Sequence, residues 1–104
     1  MFFINGIKWR VQFVPSGCEL LMRSDGSITI GVTDNDTRTI SLDESLSGRK
    51  LKKVICHELT HAAMFSYGIE LSIDQEEVIA DLIATYGQEI ISKTNSIFNR
   101  LNKK

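Results

Sequence analysis

Residues 48–67 read GRKLKKVICHELTHAAMFSY, and the spacing of their apolar side chains decides the fold of the second half of the chain. The apolar positions follow the repeat of an amphipathic helix and are Leu51, Val54, Ile55, Leu59 and Ala62. Gly68 comes directly after them and suits the left-handed backbone that often ends a helix. The pattern therefore predicts one helix over about residues 48–67.

A second helical pattern follows after a short connection. It begins near Ser72 or Asp74 and runs at least to Tyr86. Gly87 could kink or end this helix, so residues 88–101 are either its continuation or a third helix.

The part of the chain before residue 44 has the alternation and turn residues of β-strands. The turn dipeptide Asn5-Gly6 predicts a hairpin that pairs a short first arm with the second strand. The predicted strands are Phe2–Ile4, Lys8–Val14, Ser27–Thr33 and Arg38–Asp43.

Alternation within Lys8–Val14 places Trp9, Val11 and Phe13 on one face of the second strand, as in a half-buried strand. Together the patterns predict an α+β fold in a single domain over residues 1–104, with strands over about 1–43 and helices over about 48–102. We expect a small, twisted, mostly antiparallel sheet of three or four strands packed on the first helix, with the second helix crossing behind it.

Composition limits the classes of function. The chain has 104 residues, 12 basic and 13 acidic side chains and a formal net charge of −1, which makes a nucleic-acid partner unexpected. Cys18 and Cys56 are too few for a disulfide framework, so we expect reduced thiols and a cytoplasmic protein. No run of about 18 apolar residues exists, so no membrane span is expected.

The pentad His57-Glu58-Leu59-Thr60-His61 carries the chemistry of the first helix. Side chains four residues apart share a helix face, so the two imidazoles can bind one zinc ion. A carboxylate directly after the first histidine can take a proton from water at that metal. Glu58 falls within the apolar arc of the helix, where an uncompensated carboxylate would cost several kcal/mol. The pentad thus predicts Zn²⁺ ligands at His57 and His61 and a general base at Glu58.

The third ligand is expected from the second helix. Glu77 and Asp81 are four residues apart and share a face, so Glu77 can complete the site while Asp81 accepts a hydrogen bond from the far nitrogen of His57. Glu76 points about 100° away and is the rival ligand; if Glu77 binds the metal, Glu76 is expected to be an exposed first-turn carboxylate. A capping role for Glu77 is the other alternative.

These motifs resemble those of the gluzincin metallopeptidases, in which HExxH is followed by a later ExxxD. Residues 77–84, EVIADLIA, are also similar to a stretch of the ImmA/IrrE-type peptidases of phages and mobile elements. The resemblance implies a zincin-like fold, with His57, His61 and Glu77 as ligands, Glu58 as base and Asp81 as support.

The function expected from these features is peptide-bond hydrolysis by a zinc peptidase. A peptide or protein substrate is expected to bind as an additional strand along the sheet edge formed by Ser27–Thr33. Tyr67 is a candidate hydrogen-bond donor to the oxyanion. Two alternatives stay open. One is a non-hydrolytic, zinc-stabilised module that binds a partner such as a repressor of a mobile element. The other is a latent enzyme whose own C-terminal tail, residues 94–104, blocks the cleft.

Overall fold

The structure, a computed structural model, describes residues 1–102. Within this range the chain forms four strands, one short 3₁₀ turn and two helices. The strands are β1 (Phe2–Ile4), β2 (Ile7–Val14), β3 (Gly31–Asp34) and β4 (Thr39–Asp43); the 3₁₀ turn is Glu19–Leu21, and the helices are α1 (Gly48–Ser66) and α2 (Ile73–Leu101).

The four strands form one mixed sheet in the order β1-β2-β4-β3. The pairs β1–β2 and β3–β4 are antiparallel, whereas β2 and β4 are parallel. The parallel pairing arises because β4 inserts between β2 and β3 after the chain has passed through residues 15–30. The predicted α+β class is confirmed, and the sheet is mixed at its centre.

Strand β3 lies at one edge of the sheet and β4 lies inside it, as expected. The predicted bounds of the edge strand were wrong, because only Gly31–Asp34 pairs with β4. The preceding residues instead fold back locally, with an isolated bridge between Met22 and Ile28.

The core lies between the sheet and α1. Trp9, Ile40, Leu42 and Ala62 form its fully buried cluster. The indole Nε1 of Trp9 donates a buried hydrogen bond of 2.8 Å to the hydroxyl of Ser66, which fixes β2 against the end of α1.

The face predicted for β2 is buried only in part. Trp9 is fully buried, but Val11 and Phe13 are exposed. Their exposure follows from the position of α1, which packs mainly on β3 and β4 and leaves the distal half of β2 uncovered.

The connection from β4 to α1 is held by Asp43. Its Oδ1 accepts hydrogen bonds from the Ser16 hydroxyl and from the amide and hydroxyl of Ser45. The Ser16 bond, followed by those of Ser45, lowers the pKa of the Asp43 carboxyl below its ordinary value. This carboxylate therefore joins the end of β2 to the loop that leads into α1.

Both helix boundaries follow local signals. Gly68 adopts φ +64° just beyond α1, the left-handed conformation predicted for it. At the start of α2, the Ser72 hydroxyl accepts from the Gln75 amide while the Gln75 side chain accepts from the Ser72 amide, which is a capping box. Helix α2 is continuous over 29 residues, about 43 Å, so Gly87 neither ends nor divides it.

The first part of α2 packs on α1, through Glu76, Glu77 and Asp81. Ala80 is fully buried there, whereas residues 88–102 are exposed. Neither helix in the described part of the chain is long and apolar enough to cross a membrane.

We expect Gly87→Ala to stabilise the protein by about 0.5–1 kcal/mol, because glycine inside a helix loses more backbone entropy than alanine. The added methyl would lie 3.2 Å from Ile83 Cγ2, at the end of a side chain that is 40% exposed and has room to move. Urea denaturation of the two proteins measures the difference. An unchanged or lower free energy of unfolding would show that the Ile83 contact outweighs the entropy gain.

Candidate metal centre

Helices α1 and α2 pack antiparallel, so the face of α1 that carries His57 and His61 meets the first turns of α2. The two histidines are one turn apart on α1, and their ring centroids are 4.9 Å apart. On α2, Glu77 lies beside both rings and Asp81 lies one turn further on, beside His57. The predicted pairing of the two motifs is thus present in space.

The Nε2 atoms of the two rings face one another across 3.2 Å. The carboxylate of Glu77 spans them: its Oε2 lies 3.2 Å from His57 Nε2, and its Oε1 lies 3.0 Å from His61 Nε2. Glu77 therefore does not cap its helix, a role that Ser72 fills.

The opposite nitrogen of each ring also has a carboxylate partner. His57 Nδ1 lies 3.0 Å from Asp81 Oδ1, and His61 Nδ1 lies 2.6 Å from Glu76 Oε1. A carboxylate accepts a hydrogen bond, so both contacts suit rings that carry a proton on Nδ1. In that neutral tautomer each Nε2 presents a lone pair toward Glu77 and could bind a metal, whereas a proton on Nε2 would be donated to the Glu77 carboxylate.

In the Nδ1–H tautomer, two imidazole lone pairs and a carboxylate converge on one small volume. Such a set of acceptors repels itself unless a cation lies between its members. One ligand atom from each of His57, His61 and Glu77 lies within 4.8 Å of the others, so this group could hold a metal ion.

Glu76 is not the exposed carboxylate that was expected if Glu77 binds the metal. Its side chain is only 17% exposed and makes the shortest contact of the site, with His61. Asp81, by contrast, is 70% exposed while it contacts His57. The two histidines are thus oriented by different carboxylates, which lie on either side of Glu77 along α2.

Glu58 is held between α1 and the edge strand. It is 5% exposed, and the Thr33 hydroxyl lies 2.9 Å from its Oε1 and 3.0 Å from its backbone oxygen. Gly31 faces it from β3, so closely that a Cβ there would lie 3.2 Å from Glu58 Oε2. The absence of a side chain at residue 31 therefore lets the strand approach the carboxylate.

Two adjoining cavities of about 390 and 290 Å³ run beside this group. Both are lined by Arg23, Gly31 and Glu58; the larger also includes His57, and the smaller includes His61 and Glu77. They form one cleft, which we call the β3 cleft, along the exposed edge strand and across the candidate metal centre.

Tyr67 does not reach this cleft. It is the C-cap of α1, is 60% exposed, and lines neither cavity. Six residues separate it from His61, about 9 Å along the helix axis. The structure therefore gives no support to Tyr67 as a donor to a reacting oxygen.

Sequence reasoning missed the partners that come from loops and strands. The sequence places Thr33 only within a predicted strand and gives no sign that Arg23 lines the site. The alternation of β3 does not indicate that Thr33 contacts Glu58, since that contact depends on how the edge of the sheet packs on α1.

Comparisons with models of known protein families, with curated proteins and with solved structures found no match.

Glu76→Ala is expected to weaken zinc binding about 10–100-fold, as is Asp81→Ala, because each removes the acceptor that fixes one histidine ring. Glu77→Ala should weaken it more, since only two ligands would remain. Competition with a fluorescent zinc chelator measures these affinities. Glu89→Ala is the control, because Glu89 is an exposed carboxylate on the same helix, far from the site. Equal affinities for Glu76→Ala and Glu89→Ala would contradict the orienting role of Glu76.

Gly31→Ala is expected to destabilise the fold by about 1–3 kcal/mol, because the new methyl would lie 2.8 Å from Val54 Cγ1 and 3.1 Å from Glu58 Cγ. Urea denaturation of the zinc-loaded protein checks this. Gly87→Ala makes the same chemical change without such crowding and should act in the opposite direction. A Gly31→Ala protein as stable as the wild type would show that β3 can move away from α1 without cost.

Proposed function

We propose that this protein is a zinc-dependent peptidase of the gluzincin type. The observation that carries the proposal is the position of Glu58, a buried carboxylate that lines an open cleft beside the His57, His61 and Glu77 group. The HExxH and ExxxD motifs that resemble those of gluzincins supply the residues of this arrangement.

In this proposal His57, His61 and Glu77 hold the zinc ion. When bound, zinc acts as a Lewis acid that lowers the pKa of water and polarises a peptide carbonyl. Glu58 accepts the proton of the attacking water and delivers it to the departing amine. Thr33 restrains the Glu58 carboxylate, and β3 offers free backbone groups at the sheet edge to an extended peptide.

A non-hydrolytic binding module is the rival proposal. A metal that only stabilises a fold is usually closed off by four protein ligands and needs no base beside it. Among residues 1–102, the group that could hold a metal has three members, and Glu58 lies next to it in the cleft. These features favour hydrolysis.

The latent-enzyme alternative gains no support from the described residues. Thr94 lies on α2 seventeen residues beyond Glu77, about 26 Å along the helix axis. Residues 94–102 line neither cavity of the β3 cleft. Lys103 and Lys104 lie outside the described part of the chain.

The test compares the wild type with Glu58→Gln. Both should bind one zinc ion per chain and melt at a higher temperature with zinc than with a chelator, because Glu58 is not a ligand. Hydrolysis of a denatured protein mixture, followed by mass spectrometry, should fall about 10²–10⁴-fold in Glu58→Gln.

His57→Ala serves as the control that should lose both zinc and hydrolysis. Zinc binding by a wild type that cleaves no peptide would reject the peptidase and leave the binding module. A melting temperature that does not respond to zinc or to chelator, together with no zinc in the purified protein, would reject the metal site itself.

A further inference from the structure

The two ends of the β3 cleft differ in charge. The cavity beside His57 is lined by the cationic residues Arg23, Lys50 and Lys53. The cavity beside His61 is lined by the apolar side chains Met22, Val32, Phe65 and Ile73 and by the carboxylates of Glu58, Glu76 and Glu77. Arg23 lines both cavities, but Lys50 and Lys53 line only the one beside His57, so positive charge is concentrated on that side of the candidate metal centre.

The three cations have no carboxylate partner among residues 1–102, where the ion pairs within 4.0 Å all involve histidine. The two carboxylates in the same cavity are already engaged, since Glu58 contacts the Thr33 hydroxyl and Asp81 contacts His57. The lining of this cavity has three cations against two carboxylates, so the net charge that faces the cleft is positive, and a cleft concentrates such a field better than a flat surface does.

The cationic cavity is also close to the reacting centre. Lys53 precedes His57 by one helical turn and shares its face, about 6 Å along the axis. An extended peptide advances about 3.3 Å per residue, so this distance corresponds to about two residues. A group held by Lys53 would therefore lie within about two residues of the bond beside the metal.

We propose that Arg23, Lys50 and Lys53 bind a carboxylate of the peptide substrate, and so make the protein prefer peptides with an acidic group about two residues from the cleaved bond. This inference rests on the proposed peptidase function and names its substrate class. The carboxylate can come from an Asp or Glu side chain or from the free C-terminus of a peptide, because both present the same anion to the cavity.

The test begins with zinc-loaded wild type and a mixture of peptides of known sequence, with cleavage sites read by mass spectrometry. Sites should be enriched in Asp and Glu, or in free C-termini, on one side of the cleaved bond. The best sequence is then synthesised with Glu, Gln or Lys at the enriched position, and with a free or amidated C-terminus. A preference for Glu that survives amidation identifies the side chain as the source, whereas a loss of cleavage on amidation identifies the C-terminus.

The decisive variant is Lys50→Glu/Lys53→Glu, which should lower kcat/KM for the acidic peptide relative to the Lys peptide about 10-fold or more. The matched control is Arg49→Glu/Lys52→Glu, which reverses two charges in the same turns of α1 at residues that do not line the cavity. It should leave the ratio nearly unchanged. Zinc content of each variant verifies that the metal centre is intact.

The possible outcomes distinguish failure of the carboxylate site from failure of the proposed peptidase function. Cleavage without an acidic preference, or with a preference equally altered in both double variants, overturns the carboxylate site and leaves the peptidase standing. No cleavage of any peptide by the zinc-loaded wild type overturns the peptidase and this inference together.

Discussion

The antiparallel contact between α1 and α2 is the constraint on which the site depends. It places the carboxylate of Glu77 across the Nε2 atoms of His57 and His61, while Asp81 and Glu76 fix the opposite nitrogens. When the outer contacts hold the N–H of each ring, the Nε2 lone pairs face the carboxylate of Glu77. The packing of the two helices therefore assembles the His57, His61 and Glu77 group that could hold a metal ion.

The second determinant is the approach of the sheet edge to α1. Because Gly31 has no side chain, β3 lies close to Val54 and Glu58, and the Thr33 hydroxyl contacts the Glu58 carboxylate. The same strand is an edge whose outer backbone groups are unpaired, beside the cleft that crosses the metal centre. One short strand therefore restrains the candidate base and borders the candidate peptide site.

Charge is distributed unevenly around an almost neutral chain. The formal net charge of −1 conceals a cationic cavity at one end of the β3 cleft and four acidic side chains around the candidate metal centre. Net charge governs long-range association of the protein with its ligands. The local placement of charged side chains governs which end of a bound ligand lies in which cavity. An acidic substrate group fits the proposed peptidase because the cations lie beside the centre and not within it.

The sequence by itself determined the elements whose signals are local. The apolar repeat and Gly68 defined α1, the Asn5-Gly6 turn defined the first hairpin, and the i, i+4 spacings placed the two histidines, and likewise Glu77 and Asp81, on shared faces. Only the tertiary structure decided the parallel pairing of β2 with β4, the burial of Glu76 against His61 and the contact of Thr33 with Glu58. Each of these contacts joins residues 15 or more positions apart along the chain. The periodicity of a helix or strand indicates which face of that element is apolar. It does not indicate which other element packs against that face.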